Sequence, residues 1–377
     1  MSEYQYFAFR AIDSPVGGKN LEYMRRQSSR AEITSWSFEN EYRYGDFRGN
    51  AVEMLRRGYD MHLHYANFGI RKLLIRFPQG LPDMRAAKPY LGKNSLQFLK
   101  DKRGPGGILS IEPFHEPGDL DELWEINAIL DRLVPLRAEI LDGDLRPLYI
   151  AHLAVACDGE HDSEETREAP VPAGLAAISD AQGSLAELYG LGDELIAAAA
   201  LESPPIPSHV DPAEDYSEWL RDQPETTKNA WLAALMAHPS SAVRAEILAK
   251  YRKDRSVPTW PTVWPNRTIA QLQAAAAETA REVQRKLAEE AVRQRAKRLV
   301  DMAADPTATL RETERLVAER TTNAYRRVGE LLADLREALS ATGRSALAEK
   351  QAQKLKATNP RLHMLTSELR RHSFVPK

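Results

Sequence analysis

Tyr4-Gln5-Tyr6-Phe7-Ala8-Phe9-Arg10 sets aromatic side chains at Tyr4, Tyr6, Phe7 and Phe9 and runs into Asp13-Ser14-Pro15-Val16-Gly17-Gly18. A β-strand closed by a turn has this pattern. Downstream, 21–28 reads as a short helix, and 31–44 as an extended strand or hairpin with Ile33, Trp36 and Phe38 among polar residues. Val52, Leu55, Tyr59 and His62 give 50–68 a helical spacing, with Gly69 set to end it. Residues 72–77 make a further strand, and 95–99 and 108–111 flank Arg103-Gly104-Pro105-Gly106-Gly107 as the arms of a hairpin would. Strand, helix, strand, helix, strand and hairpin over residues 1–157 predict an α+β domain with a ferredoxin-like core.

Beyond residue 120 the periodicity is helical and no further strand is predicted. Residues 158–172, from Asp158-Gly159-Glu160-His161-Asp162 to Pro170 and Pro172, read as an acidic linker. A small helical region over 173–255 contains a Pro-rich stretch at 203–212, and a second linker at 256–267 carries Pro258, Trp260, Pro261, Trp264 and Pro265. Thr268 opens the longest helix, 268–304, about 55 Å at ~1.5 Å per residue. Its apolar stripe of Ile269, Leu272, Ala276, Val283, Leu287 and Leu299 is thin. That suits a projecting arm, a coiled-coil partner, or a helix laid across its own domain. A C-terminal helical-hairpin module, 305–377, completes a mostly α-helical remainder.

With 377 residues, 43% hydrophobic and 28% charged, the chain is not a disordered one. Its 51 Lys+Arg against 54 Asp+Glu exclude a basic coat for nucleic acid along the whole length. The sign nevertheless changes: 16 bases and 10 acids over 1–100, 10 and 29 over 101–250, 25 and 15 over 251–377. Such polarity favours contact between an acidic middle and a basic tail, within or between molecules. No apolar run reaches the roughly 18–20 residues that span a bilayer, and Met1-Ser2-Glu3-Tyr4 lacks the layout of a signal peptide. A cytoplasmic protein with no membrane contact is expected. The single cysteine, Cys157, excludes an intrachain disulfide and any multi-cysteine zinc site.

Among chemical signatures, Walker A, G-x-G-x-x-G after a strand, G-x-S-x-G and H-E-x-x-H are all missing. The densest polar and aromatic stretch is 39–50, where Glu41 and Asp46 could supply acid/base groups or metal oxygens, presented by turns at Gly45 and Gly49. Arg43 and Arg48 beside them would equally make ordinary salt bridges. His62 and His64 would share a face only on a strand; the helical reading separates them, and a third ligand is missing. Cys157, Asp158, Glu160, His161 and Asp162 gather ligand-capable atoms, but at the spacing of no metal loop. Neither a metal nor a cofactor is expected. In the long helix Arg281, Arg285, Arg293 and Lys297 recur at helical spacing, with Arg295 and Arg298 adding charge that could follow a phosphate backbone. Glu282 with Lys286 and Glu289 with Arg293 would answer part of that charge, and no aromatics interleave to stack bases.

Several motifs together resemble an uncharacterised bacterial family over most of residues 1–150. They are Ser2-Glu3-Tyr4-Gln5-Tyr6-Phe7, Ala11-Ile12-Asp13, Ser29-Arg30-Ala31-Glu32-Ile33-Thr34, Asn40-Glu41-Tyr42 with Gly45-Asp46-Phe47, Ala66-Asn67-Phe68-Gly69, and Leu136-Arg137-Ala138-Glu139 with Gly143-Asp144-Leu145-Arg146. The resemblance implies a bacterial source and transfers no activity. Residues 313–375, with Tyr325, Leu331-Leu332-Ala333-Asp334-Leu335-Arg336, Gly343 and Asn359-Pro360-Arg361, resemble the C-terminal helical module of bacterial SWIM zinc-finger proteins. The zinc site of that family needs three cysteines and a histidine, so neither its zinc nor its nucleic-acid role is implied here.

These readings converge on a non-enzymatic bacterial adaptor or scaffold that works through a protein partner or self-association. Nucleic-acid association through the basic arm is the alternative. An enzyme of unrecognised class near Glu41 and Asp46 is the second.

Overall fold

The computed structural model describes residues 3–376 apart from 44, 93, 119–122, 124, 159, 207–211, 238–240, 256–259 and 341. Tyr44, Gly159, Pro258 and much of the Pro-rich stretch at 203–212 therefore lie outside the described residues. The chain forms two compact units, Met1–Ala280 and Arg281–Lys377.

The opening strand β1 (Gln5–Arg10) lies inside a seven-stranded sheet, because both of its faces carry apolar side chains to bury. The other strands are β2 (Glu32–Ile33), β3 (Ser37–Tyr42), β4 (Met61–Ala66), β5 (Ile70–Phe77), β6 (Leu96–Lys100) and β7 (Gly107–Ile111), in the order β2-β3-β1-β4-β5-β7-β6. The α+β class holds, with every pair in this sheet antiparallel. The ferredoxin-like core is corrected: it needs a parallel central pair, whereas β1 runs antiparallel to both β3 and β4. Over one face lie α1 (Gly18–Arg25) and α2 (Ala51–Arg56), around Phe9, Met24, Phe38, Met54, Leu55 and Tyr59. The other face, with Tyr6, Ala8, Leu63, Leu73 and Ile75, joins the main core. There it meets α4 (Ile126–Leu133), α5 (Pro135–Leu141), α6 (Arg146–Ala156), α7 (Asp180–Leu188) and α8 (Asp193–Ala200); α3 (Met84–Ala87) is a single turn.

The helix expected over 50–68 is half right. Asn50 caps α2 by accepting from the Glu53 N–H at 2.9 Å, but α2 stops at Arg56 and the chain turns at Gly58, φ +143°. Residues 61–66 become β4, since pairing with β1 on one side and β5 on the other outweighs a helical spacing that the apolar residues also satisfy. Gly69 ends no helix; it makes the β4–β5 turn at φ +107°, where a Cβ would stand 2.2 Å from the His115 carbonyl oxygen.

Strands also appear where none was expected. Parts of the two linkers pair as β8 (Val171–Pro172) and β9 (Thr262–Val263), with a further bridge between Arg167 and Thr268. Buried Glu168 fastens them, accepting from the Tyr149 hydroxyl and from the Arg267 guanidinium. Between the linkers run α9 (Pro212–Asp222), α10 (Glu225–Ala237) and α11 (Ser241–Arg255), which share a small cluster of Trp219, Trp231 and Tyr251.

From this clasp rises α12 (Ile269–Ala304), 36 residues long. Thr268 and Gln271 form a reciprocal cap at its start, the Thr268 N–H donating to Gln271 Oε1 (2.9 Å) and the Gln271 N–H to Thr268 Oγ1 (3.3 Å). Ile269, Leu272 and Ala276 are buried in the core of the first unit, whereas every residue from 281 to 298 is exposed. The second unit adds α13 (Pro306–Glu319), α14 (Thr322–Ser340), α15 (Ala346–Thr358) and α16 (His363–Arg371) around Leu316, Tyr325, Val328, Leu332, Leu335, Leu365 and Leu369. Among the described residues no helix is long and apolar enough to cross a membrane.

Candidate functional site

Strand register decides which polar groups meet. Asn40, Phe7, His64 and Lys72 lie side by side across β3, β1, β4 and β5, and Phe38, Phe9, His62 and Leu74 form the next row. His62 and His64 therefore share a face, as an H-x-H does on a strand. Phe7 stacks on His64 with centroids 3.9 Å apart, and Phe9 on His62 at 4.0 Å. The loop after β3 is pinned by Phe47, whose ring lies 4.9 Å from Phe7 and 5.7 Å from Phe38. That anchor sets Asp46 against β1.

Gln5 connects the two. Its Nε2 donates to Asp46 Oδ1 at 2.7 Å, and because a carboxylate only accepts, the amide oxygen is turned to His64 Nε2 at 3.0 Å. His64 consequently carries its proton on Nε2 and presents the Nδ1 lone pair. Burial, and the nearby Lys72 ammonium, lower the His64 pKa to about 4. Lys72 itself pairs with Glu112 at 2.6 Å. Burial is still stronger at His62: its pKa falls to about 3, and its Nδ1–H donates to the Ala8 carbonyl at 3.0 Å. Chemically, Asp46–Gln5–His64 orients one neutral imidazole that can accept a proton at Nδ1.

Glu41 is not part of it. It stands opposite Tyr6, on the other face of the sheet, where it meets the Tyr4 hydroxyl; burial first, and Glu41 second, push that phenol up to about 12. The two expected acid/base residues are thus separated by the sheet, and Asp46 is joined instead to Gln5 and His64. No family model, curated protein or solved structure matches this chain. What the chain can do rests on its own geometry.

At the start of the first linker, burial pushes the Cys157 thiol up to about 11. Asp158 is buried and accepts from the Phe114 N–H (3.2 Å) and from His161 Nδ1 (2.9 Å). Among the described residues no three His, Cys, Asp or Glu side chains converge as a metal cage. A hollow of about 400 Å³ in the second unit is lined by Gln353, Lys356, Ala357, Pro360, Phe374, Val375 and Pro376, among which Lys356 is the one charged side chain.

The basic candidates on α12 divide. Arg295 reaches Glu337 at 2.6 Å and Asp334 at 3.3 Å, Arg298 reaches Asp334 at 2.6 Å, and Arg285 lies 3.8 Å from Glu289. Arg281 is engaged as well. Lys286, Arg293 and Lys297 have no hydrogen-bond or ion-pair partner among the described residues. The expected Glu282–Lys286 and Glu289–Arg293 pairs are not made; Glu289 faces Arg285 instead.

Proposed function

We propose that this protein is a non-enzymatic adaptor or scaffold of the bacterial cytoplasm, acting through protein contacts made by its long helix. One observation carries the reading: eighteen consecutive helical residues, 281–298, are exposed on every side although Val283, Leu287 and Val292 lie among them. A lone helix in water gains little from its own propensity, so a helical stretch of this length with no side chain buried suits a surface that another protein covers. The resemblances to an uncharacterised bacterial family and to the helical module of SWIM zinc-finger proteins support the bacterial source and the helical contact surface. The test is capture of the tagged chain from its native lysate with and without nuclease, beside a Leu287→Glu variant. Nuclease-resistant partners lost from the variant are expected. An empty capture together with a strictly monomeric chain would overturn the reading.

A second reading is association with nucleic acid, favoured by Lys286, Arg293 and Lys297, whose charges no side chain among the described residues answers. It requires retention on DNA or RNA that falls steeply with salt and disappears when these three are changed to Gln. Binding unchanged in that variant would remove it. A third reading, proton-transfer chemistry at Asp46–Gln5–His64, has only the geometry of one oriented imidazole behind it and ranks below both.

A further inference from the structure

His152 follows Tyr149 by three residues on α6, so the two side chains leave neighbouring points of one helix face. Its Nδ1 stands 3.3 Å from the Tyr90 carbonyl oxygen; since a carbonyl only accepts, the proton sits on Nδ1 and Nε2 is a bare lone pair. That Nε2 is sealed from water and has no hydrogen-bond partner among the described residues. Tyr90 meets the imidazole edge-on with centroids 6.5 Å apart, and its hydroxyl donates to the Pro170 carbonyl of the first linker at 2.8 Å. Glu168 and His161 are the charged or titratable neighbours from that linker: the carboxylate favours a proton on His152, and His161 opposes it. Glu168 is already engaged by the Tyr149 hydroxyl and the Arg267 guanidinium, and His161 by Asp158 at 2.9 Å. Lys88, on the turn that carries Tyr90, is exposed. Burial outweighs these fields and lowers the His152 pKa below the ordinary 6.5.

Backbone bonds next to Glu168 hold the two linkers together. The Glu168 N–H donates to the Arg267 carbonyl (3.2 Å), the Ile269 N–H to Thr166 (2.9 Å) and the Ala270 N–H to Ser163 (2.9 Å). We propose that this clasp is an acid-sensitive latch with His152 as its trigger. A proton on Nε2 turns an idle acceptor into a charged donor, and the closed clasp offers that donor nothing to bond. Parting the linkers brings water to Nε2 and frees the Glu168 carboxylate to turn from Arg267 towards the imidazolium. The open form therefore holds the proton more tightly than the closed one, and opening becomes more favourable as pH falls below about 6.5. At neutral pH the ring is uncharged and the linkers close again. The latch is independent of the adaptor reading: it concerns the stem from which α12 rises, not what covers the exposed helix.

Hydrogen exchange of the full chain from pH 7.5 to 5.5, expressed as protection relative to intrinsic exchange, tests it. Protection over 166–170 and 267–272 is expected to fall several-fold, with about tenfold as the limit that one proton sets over this interval. β4 and β5, whose own histidines answer acid, serve as the reference in each sample. In His152→Asn, whose amide can still donate to the Tyr90 carbonyl, the linker response should vanish while that of β4 and β5 remains. His161→Asn, the control for the other histidine of the linker, should keep it. The wild type alone gives a further test that needs no variant to fold: the loss must begin near pH 6.5, whereas onset only below about pH 5 belongs to a carboxylate. Linker protection that follows β4 and β5, a response retained in His152→Asn, or the lower onset overturns the inference.

Discussion

Arg137 grips Asp13 with both arms of its guanidinium, Nη1 to Oδ1 at 2.8 Å and Nη2 to Oδ2 at 2.7 Å, across 124 residues of sequence. Its Nε donates to the Arg76 carbonyl at 2.7 Å, and Asp60 lies 3.5 Å from the same guanidinium. Asp60 in turn accepts from the Ile12 N–H (2.6 Å) and the Asp13 N–H (3.0 Å). One side chain thus ties α5 to the ends of β1 and β5 and to the turn before β4. Burial pushes the Asp60 carboxyl above its ordinary range while Arg137 pulls it back. Removing Arg137 would leave two carboxylates in a dry site.

Arg137→Ala should therefore destabilise the first unit by about 3–5 kcal/mol, the usual effect of breaking a buried pair from one side. Chemical denaturation reads the loss directly. Arg137→Met combined with Asp13→Asn should recover part of it. Loss below 1 kcal/mol in the single variant would mean that water solvates the pair.

Acid should weaken the fold through the paired histidines. Both are held neutral, with folded pKa values of about 3 for His62 and about 4 for His64, below the ordinary 6.5. Below pH 6.5 the unfolded chain binds protons that the folded one refuses, so stability falls as pH drops from about 6.5 to 4 and flattens near 3. For His64 alone the loss is on the order of 3 kcal/mol at ~1.36 kcal/mol per pH unit. Urea midpoints at pH 7.5 and 5.0 should differ in the wild type and differ less in His64→Gln. Equal slopes in the two proteins would show that other groups dominate the acid response.

The base and the free part of α12 should answer truncation differently. Leu272→Ala empties a site with 0% exposure and should cost about 2–5 kcal/mol. Val292→Ala, at a position 69% exposed, should stay within about 0.5 kcal/mol. Thermal denaturation at low protein concentration separates them, and a comparable loss at Val292 would place a hidden contact on the arm.

The clasp should open when its carboxylate goes. Glu168→Ala removes the acceptor shared by Tyr149 and Arg267, leaving a buried phenol and a partly buried guanidinium without it. Hydrogen exchange should then quicken over 261–272 with little change across β4 and β5. Uniform acceleration of both regions would mean that the clasp holds up the whole unit and not merely the start of α12.

Strands whose partners lie close in sequence were legible. Residues 95–111 read as a hairpin and fold as β6–β7, and 31–44, read as an extended strand or hairpin, contains the paired β2 and β3, because alternation and turn residues carry that information locally. His62 and His64 misled because Tyr59 and His62 extend a helical spacing past Gly58, whose φ of +143° breaks it. The thin stripe of α12 left open an arm and a helix laid across its own domain; Ile269, Leu272 and Ala276 are buried, and 281–298 are exposed. Neither the Asp46–Gln5–His64 contact nor the pairing of Val171 with Val263 could be read locally, since each depends on register or on closure across 41, 59 and 92 residues. Long-range pairing of this kind has no periodicity for a sequence to display.

The clasp has a topological consequence. Ser203 Oγ donates to the Pro172 carbonyl at 2.7 Å and the Gly174 N–H to the Pro204 carbonyl at 3.0 Å, while the Ala173 N–H donates to the Pro261 carbonyl at 2.8 Å. The chain therefore leaves for α9–α11 and returns from them at the same three-residue strap, and those helices keep an aromatic cluster of their own. Such a detour is closed at its own stems, and α11 is tied back to the body of the unit by Arg244 on Asp142 at 2.7 Å and Arg252 on the Leu141 carbonyl at 3.0 Å, so a lobe exchanged here has those two contacts and the stems to match. A lineage could restyle that lobe without redesigning the sheet beneath it.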